Sequence, residues 1–261
     1  VVVVGGGLTA IDTATESLAY YPLQVEKFLQ RYEALAREHG ETAARIAWNE
    51  EERAIADEFL DHARAIRAER IAAQHANREP RIVELLQQWG GVTIAYRRRL
   101  IDSPSYTLNH EEVQKALEEG IRFAEGLTPL AVEVDADGHA RALRVSVRGL
   151  NADGKWTENA QIELPARTVL IAAGTQPNTV LAREEAPHFP LDGRYFQAVD
   201  ERGSPVKPQR SAKPEHVEVL LAREPDGRFI SFFGDLHPSF FGNVVKAMGG
   251  AKQGYPQVSR V

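Results

Sequence analysis

Three consecutive glycines follow the first strand-like segment of the chain and could form an anion-binding turn. Residues 1–4 are all valine, an apolar run typical of a central strand in a parallel sheet. The strand pattern is followed by G-x-G-x-x-A, in which the candidate binding residues are Gly5, Gly6, Gly7, Leu8, Thr9 and Ala10. In such a turn the first glycine permits the bend, the second lets the backbone approach a pyrophosphate, and the alanine lets the helix pack closely. The helix N-terminus would add free N–H groups for the phosphates.

This arrangement predicts dinucleotide binding and not bond-making chemistry by the turn itself. The motif alone is a weak signal, but here a strand pattern precedes it and a helix pattern follows it, which strengthens the prediction. The alternative is a glycine-rich turn between strand and helix that binds no ligand.

Three arginines follow the second predicted strand, residues 92–96. In the Rossmann fold an acidic residue at the end of this strand binds the 2′-hydroxyl of NAD, whereas arginine there favours the 2′-phosphate of NADP. Arg97 and Arg98 stand at this position without an acidic neighbour in sequence. Guanidinium groups bind phosphate through paired hydrogen bonds. We therefore expect Arg97 and Arg98 to favour NADPH over NADH, and the alternative is a solvated basic turn.

The order of elements predicts an α/β fold, a Rossmann-like NAD(P)-binding domain with a parallel sheet. A helix is predicted over residues 8–20, with Pro22 as its break. Residues 23–88 show apolar positions at helical spacing, which predicts a long helical-hairpin insertion before the second strand. Residues 130–135, 140–148 and 161–164 predict a small antiparallel β-meander, and residues 168–173 predict another buried strand.

The chain resembles the FAD-dependent pyridine nucleotide-disulfide oxidoreductase superfamily, and within it the glutamate synthase small-subunit-like flavoproteins. The glycine turn and the Tyr96-Arg97-Arg98 motif carry the resemblance to the nucleotide-binding region. The strand and glycine at residues 169–178 are similar to the family's segment that crosses back toward the flavin domain. Phe233-Gly234-Asp235 and the helix pattern with Val244 are similar to the family's C-terminal FAD motif. Ser103 stands where the family commonly has methionine.

The resemblance implies hydride transfer from NADPH to FAD and onward to a partner, which is chemistry that belongs to the cofactors. It implies that Gly174, Gly234, Asp235 and Val244 contribute to a partial FAD site. Residues 1–178 would form the NADPH-binding domain, residues 179–228 an irregular connection with a strand at 217–221, and residues 229–261 part of an incomplete FAD-binding domain. The chain starts without methionine inside a strand pattern, which predicts further residues upstream.

Composition excludes several kinds of site. The chain has no cysteine, so it can form no disulfide and no cysteine-ligated metal centre, and a reducing, cytoplasmic setting is expected. A net charge of -6 argues against a nucleic-acid partner. No apolar run has the roughly 20 residues that a membrane span needs. The histidines lack metal-ligand spacing, and His237 is more typical of a loop residue without a chemical role than of a proton donor.

Two questions of function stay open at this level. As it stands, the chain could be a non-enzymatic nucleotide-binding module and not an enzyme domain. The helical insertion could dock a partner subunit or domain, or its charged positions could form a solvated helical face. No residue can be assigned as a catalytic acid, base or nucleophile.

Overall fold

The computed structural model describes residues 1–174, 176–185, 188–211, 213–242 and 244–261. It divides the chain into two compact units, Val1–Gly174 and Thr175–Val261. Thr175 in the predicted crossing segment and Asn243 at the start of the last predicted helix lie outside the described residues.

The first unit contains a parallel sheet, a helical region and an antiparallel meander. Its strands are β1 (Val2–Val4), β2 (Thr93–Tyr96), β3 (Arg122–Glu125), β4 (Leu127–Val134), β5 (Ala140–Leu150), β6 (Trp156–Pro165) and β7 (Val169–Ile171). Its helices are α1 (Leu8–His39), α2 (Glu41–Arg45), α3 (Glu50–His75), α4 (Ile82–Gln88), α5 (Pro104–Leu108) and α6 (His110–Glu118). Leu100–Asp102 forms a single 3-10 turn before α5.

The parallel sheet has the strand order β3-β2-β1-β7. Val4 pairs with Ala95 on one side and with Ile171 on the other. This order is one half of the Rossmann arrangement, in which consecutive strands run outward from β1 and the chain then returns to the other side of β1. The sequence did not predict β3, because this edge strand has exposed charged residues, Arg122 and Glu125, at both ends and lacks the apolar run of β1 and β7.

The two faces of the sheet are covered by different layers, because successive strand residues point to opposite faces. Val3 and Ile94 pack against α1, α4 and α6 in one core. Val2, Val4 and Ala95 pack against the antiparallel sheet β4-β5-β6 in a second core. The α/β fold with a parallel sheet and an antiparallel meander is thereby confirmed.

Helix α1 continues through Pro22, so the predicted break at this residue is wrong. A proline inside a helix loses one backbone hydrogen bond and typically costs about 3 kcal/mol or more. Here Pro22 is buried on the same face as Leu18 and Val25. The apolar stripe of the helix runs on to Leu29 without interruption, and this packing on both sides offsets the local cost.

Helices α1 and α3 pack against each other around a core of their own. Val25 and Leu29 of α1 contact a group from α3, which consists of Leu60, Ala63 and Ile66. Helix α3 begins at a capping box, in which the Asn49 side chain accepts from the Glu52 backbone and the Glu52 carboxylate accepts from the Asn49 backbone. The helical content predicted for residues 23–88 is present.

A cluster of aromatic rings joins the helical region to the parallel-sheet core. The Tyr21 hydroxyl is 2.6 Å from Nδ1 of His62, and the His62 ring stacks on Trp89 with 3.8 Å between ring centres. Burial lowers the pKa of His62, and burial together with the nearby Glu58 carboxylate raises the pKa of Tyr21 to about 12. Both side chains are therefore neutral near pH 7, and they connect the helical region to the parallel-sheet core by packing.

The second unit is built from short strands and two helices. Its strands are β8 (Leu191–Asp192), β9 (Tyr195–Phe196), β10 (Ala198–Val199), β11 (Pro205–Val206), β12 (Leu220–Arg223) and β13 (Phe229–Ser231). Its helices are α7 (Leu181–Glu184) and α8 (Val244–Val258), and Gly234–Leu236 forms a 3-10 turn. The sequence predicted one strand in residues 179–228, at 217–221, whereas the described residues of this segment form five strands, of which β12 overlaps the predicted one. The other four are only two residues long and show no readable period.

His237 is fully buried in the second unit, and both its ring nitrogens have backbone partners there. Its Nε2 lies 2.8 Å from the Glu218 carbonyl oxygen, and its Nδ1 accepts the Ser239 backbone N–H at 3.1 Å. These partners require the neutral ring with its proton on Nε2. Its neighbours Phe232 and Phe240 are apolar, and burial lowers the pKa of His237.

The buried neutral His237 predicts a loss of stability in mild acid. Because its folded pKa lies below the unfolded value of about 6.5, the unfolded state binds more protons as the pH falls below that value. The free energy of unfolding should then fall by up to about 1.4 kcal/mol per pH unit. Hydrogen exchange of the β12 amides between about pH 5 and pH 7 would measure it. His237→Asn should remove this slope, and an unchanged slope in the variant would assign it to other groups.

Candidate nucleotide-binding site

The carboxyl ends of three neighbouring strands meet at one edge of the parallel sheet. The Gly5 N–H donates to the Ala95 carbonyl at 3.2 Å, and the Ala172 N–H donates to the Val4 carbonyl at 2.7 Å. The glycine turn therefore lies between the ends of β2 and β7. Ligands of open α/β sheets bind outside such strand ends, where the strand order reverses, and here the order reverses at β1.

The three glycines of the turn meet different surroundings. A side-chain carbon at Gly5 would lie 2.3 Å from the Ala172 carbonyl oxygen and 2.9 Å from Cβ of Ala10. One at Gly6 would lie 2.2 Å from the Tyr96 ring. One at Gly7 would meet no heavy atom within 4 Å among the described residues. Gly5 and Gly6 are thus required by packing, whereas Gly7 borders open space in which a ligand can approach the backbone.

The open space next to Gly7 is bordered by unpaired backbone donors. Gly7 caps α1 without a side-chain hydrogen bond. Within the described part of the chain, the N–H groups of Gly7, Leu8 and Thr9 have no hydrogen-bond partner, and the first helical bond of the turn runs from Ala10 to the Gly7 carbonyl. Unpaired N–H groups and the positive end of a long helix together attract an anion.

Two buried serines support the glycine turn through hydrogen bonds, a role that the sequence did not predict. The Ser105 hydroxyl donates to the Gly6 carbonyl at 3.0 Å and lies 3.1 Å from the Ser103 hydroxyl. Ser103 also caps α5 by accepting the Tyr106 N–H. A serine before a proline at a helix start, as at Ser103, is a recognisable capping signal. The bond from Ser105 to a turn 99 residues away is visible only in the fold.

The arginines after β2 have different partners. Arg99 forms two 2.8 Å hydrogen bonds to the Asp102 carboxylate, and these bonds hold the pKa of Asp102 below its usual range. Arg97 and Arg98 are exposed, and neither forms an ion pair with any described residue. Glu125 of β3 accepts the Leu100 N–H at 2.6 Å, so the fold brings a carboxylate near the loop. The guanidinium groups available for a phosphate are therefore those of Arg97 and Arg98.

The remaining predicted site residues divide between the two units. Gly174 lies two residues beyond Ala172, follows β7 and has a positive φ of 99°. Gly234 also has a positive φ, 63°, and Oδ1 of Asp235 accepts the Gly242 N–H at 2.9 Å in the second unit. Val244 begins α8 and is 73% exposed. The structure thus brings the glycine turn, the arginines and Gly174 to one sheet edge, while Gly234, Asp235 and Val244 belong to a separate unit.

The helical region makes two polar contacts with the rest of its own unit. Arg167, which precedes β7, donates to Glu58 of α3 at 2.6 Å, and Glu51 of α3 lies 2.7 Å from His139 in the turn before β5. These contacts attach α3 to the Rossmann-like fold. Docking of a partner on this region stays a prediction.

Two kinds of site find no support in the part of the chain that the structure describes. None of its helices is long and apolar enough to cross a membrane. No group of three or more histidine, aspartate or glutamate side chains there is placed to hold a metal ion.

Strand order and glycine turn together define the class of fold, which is Rossmann-like. No family model matches the chain. The chain is 30% identical over 264 residues to an uncharacterised protein from Rickettsia prowazekii (strain Madrid E), which covers all of this chain and 30% of that protein. It is 33% identical over 94 residues to AegA from Escherichia coli (strain K12), which is named as an oxidoreductase, and this match covers 33% of the chain and 14% of AegA.

The chain therefore spans less than a third of the length of each relative, 30% of the Rickettsia protein and 14% of AegA. Among solved structures, the ferredoxin reductase for the CYP199A2 system from Rhodopseudomonas palustris aligns with a TM-score of 0.32 at 14% identity. That alignment covers 65% of this chain and 38% of the reductase. The assignment of the fold therefore depends on the chain's own strand order and turn.

Proposed function

We propose that the first unit binds NADPH at the edge of its parallel sheet. The pyrophosphate is held by the N–H groups of Gly7, Leu8 and Thr9, and the 2′-phosphate by Arg97 and Arg98. The observation that carries this proposal is the set of three unpaired N–H groups at the end of β1, together with the open space beside Gly7. Their donors match the acceptor oxygens of a pyrophosphate, and the helix dipole adds favourable charge.

We further propose that this unit serves a flavin-dependent oxidoreductase of the glutamate synthase small-subunit-like kind. The match to AegA over 94 residues supports an oxidoreductase role. The glycine turn and the arginine loop would hold NADPH, which would supply a hydride, and FAD would accept that hydride and pass the electrons to a partner. In the second unit, Gly234, Asp235 and Val244 would hold a part of the FAD. Asp235 has one carboxylate oxygen beyond the one that accepts the Gly242 N–H, and this oxygen can accept a ligand hydroxyl.

The competing function is a nucleotide-binding module that does no chemistry. The two differ in one observable, the flavin. A chain that retains yellow FAD and reduces it when NADPH is added supports the enzyme domain. A chain that binds NADPH but no flavin supports either the module or a flavin site that is completed by other parts of a longer protein. Repeating the measurement on a longer chain that includes those parts separates these two cases.

Calorimetric titration of the folded chain with NADPH and with NADH tests the nucleotide site. We expect NADPH to bind at least about tenfold more tightly than NADH, because the 2′-phosphate adds charge-assisted hydrogen bonds. Equal affinities would contradict the role of Arg97 and Arg98. No binding of either nucleotide would contradict the proposed site as a whole.

A further inference from the structure

The hydrogen bond between Ser105 and the glycine turn affects the direction in which a backbone N–H of the turn points. Ser105 is 1% exposed and Ser103 is 0% exposed, so both hydroxyls are shielded from water. A serine hydroxyl has one proton, and Ser105 donates it to the Gly6 carbonyl oxygen at 3.0 Å. The Ser105 oxygen can then accept from Ser103, whose hydroxyl lies 3.1 Å away.

The Gly6 carbonyl belongs to the same planar peptide unit as the Gly7 N–H. In a trans peptide these two groups point in opposite directions, so holding the carbonyl fixes the direction of the N–H. Ser105 holds this carbonyl on its own buried side, through its hydroxyl at 3.0 Å and more weakly through its backbone N–H at 3.5 Å, so the Gly7 N–H points away from Ser105. Glycine has unusual backbone freedom, so an unrestrained Gly6–Gly7 peptide could rotate as a unit.

We propose that Ser105 is a positioning residue for the nucleotide, which aims the Gly7 N–H at the pyrophosphate through its bond to the Gly6 carbonyl. This inference rests on the proposed NADPH site and concerns only its pyrophosphate half. Ser105 lies in α5, which follows the arginine loop by way of the 3-10 turn Leu100–Asp102. The same short segment therefore supports the turn and carries the groups for the 2′-phosphate.

The test compares three ligands on Ser105→Ala. NADPH needs both halves of the site, and NADH needs the pyrophosphate half. Adenosine 2′-monophosphate has the 2′-phosphate that Arg97 and Arg98 bind but no pyrophosphate. Loss of one positioning hydrogen bond should weaken NADPH and NADH by the same factor, about three- to tenfold. The affinity for adenosine 2′-monophosphate should stay within about twofold of the wild-type value. A general loss of structure would weaken all three ligands and could not give this pattern.

Ser146→Ala is the matched control, because Ser146 lies in the same unit, is 3% exposed, and has a hydroxyl without a hydrogen-bond partner among the described residues. It should leave all three affinities unchanged. If Ser105→Ala does not fold, Ser105→Cys keeps a donor at this position, although a weaker and larger one, and should give the same pattern with a smaller factor.

Two results would overturn the inference and they are distinguishable. Unchanged NADPH and NADH affinities in a folded Ser105→Ala variant would show that the hydroxyl does not position the turn. Absence of nucleotide binding by the wild-type chain would remove the proposed function itself, and the inference with it.

Discussion

Gly7→Ala should weaken NADPH binding by at least about tenfold and leave the fold intact. Its Cβ would meet no protein atom within 4 Å, and the backbone of Gly7, at φ -98° and ψ 179°, suits any residue. Stability should fall by about 1 kcal/mol or less, because alanine is a poorer N-terminal cap than glycine. The added methyl group would instead occupy the space through which the pyrophosphate reaches the unpaired N–H groups. Titration with NADPH and thermal unfolding without nucleotide measure the two effects separately.

Gly5→Ala is the matched comparison, because its Cβ would lie 2.3 Å from the backbone oxygen of Ala172. A backbone atom cannot move away as a flexible side chain can, so this variant should lose about 1–3 kcal/mol of stability or more. The pair separates a glycine required by packing from one required by a ligand. Normal NADPH affinity in Gly7→Ala would show that the ligand does not approach this part of the turn.

The double variant Arg97→Ala, Arg98→Ala should lose the preference for NADPH over NADH. Each hydrogen bond from a charged group to phosphate contributes about 1.5–3 kcal/mol, so affinity for NADPH should fall about 10- to 100-fold or more. The affinity for NADH should change little, because NADH lacks the 2′-phosphate. Titration of wild type and variant with both nucleotides at one fixed salt concentration gives the comparison, since salt screens these contacts.

Arg99→Ala serves as the control within the same loop. Arg99 is already bound to Asp102 through two hydrogen bonds, so its loss should affect NADPH binding far less than loss of its two neighbours. A double variant that weakens NADPH and NADH equally would contradict a 2′-phosphate site. An effect of Arg99→Ala as large as that of the pair would show that the Asp102 contact opens when nucleotide binds.

The sequence was sufficient to predict the local elements for which we propose phosphate binding. The valine run, the glycine turn and the start of the first helix are adjacent in sequence, and each has a physical requirement that only a few residue types meet. The arginines could be placed because the end of the second strand has a fixed position in this fold. The meander β4-β5-β6 was predictable from its turns and alternating side chains.

Features that depend on distant packing could not be predicted. Pro22 continues a helix because residues on both sides of it are buried, which its local preference does not reveal. The Ser105 bond to Gly6 and the Arg99 bond to Asp102 depend on how a loop folds back. Strand β3 lacks an apolar run because both its end residues are charged, and the two-residue strands of the second unit are too short to carry a period. These are cases in which tertiary contacts decide over local sequence.

The most direct test of the central claim is the backbone amide NMR spectrum of the isotope-labelled chain during titration with NADPH. If the turn holds the pyrophosphate, the amide signals of Gly7, Leu8 and Thr9 should shift most, because their N–H groups gain charge-assisted hydrogen bonds. The amides of β12 in the second unit serve as an internal reference. A well-dispersed spectrum in which these three signals do not move at saturating NADPH would contradict the assignment of the glycine turn as the nucleotide site.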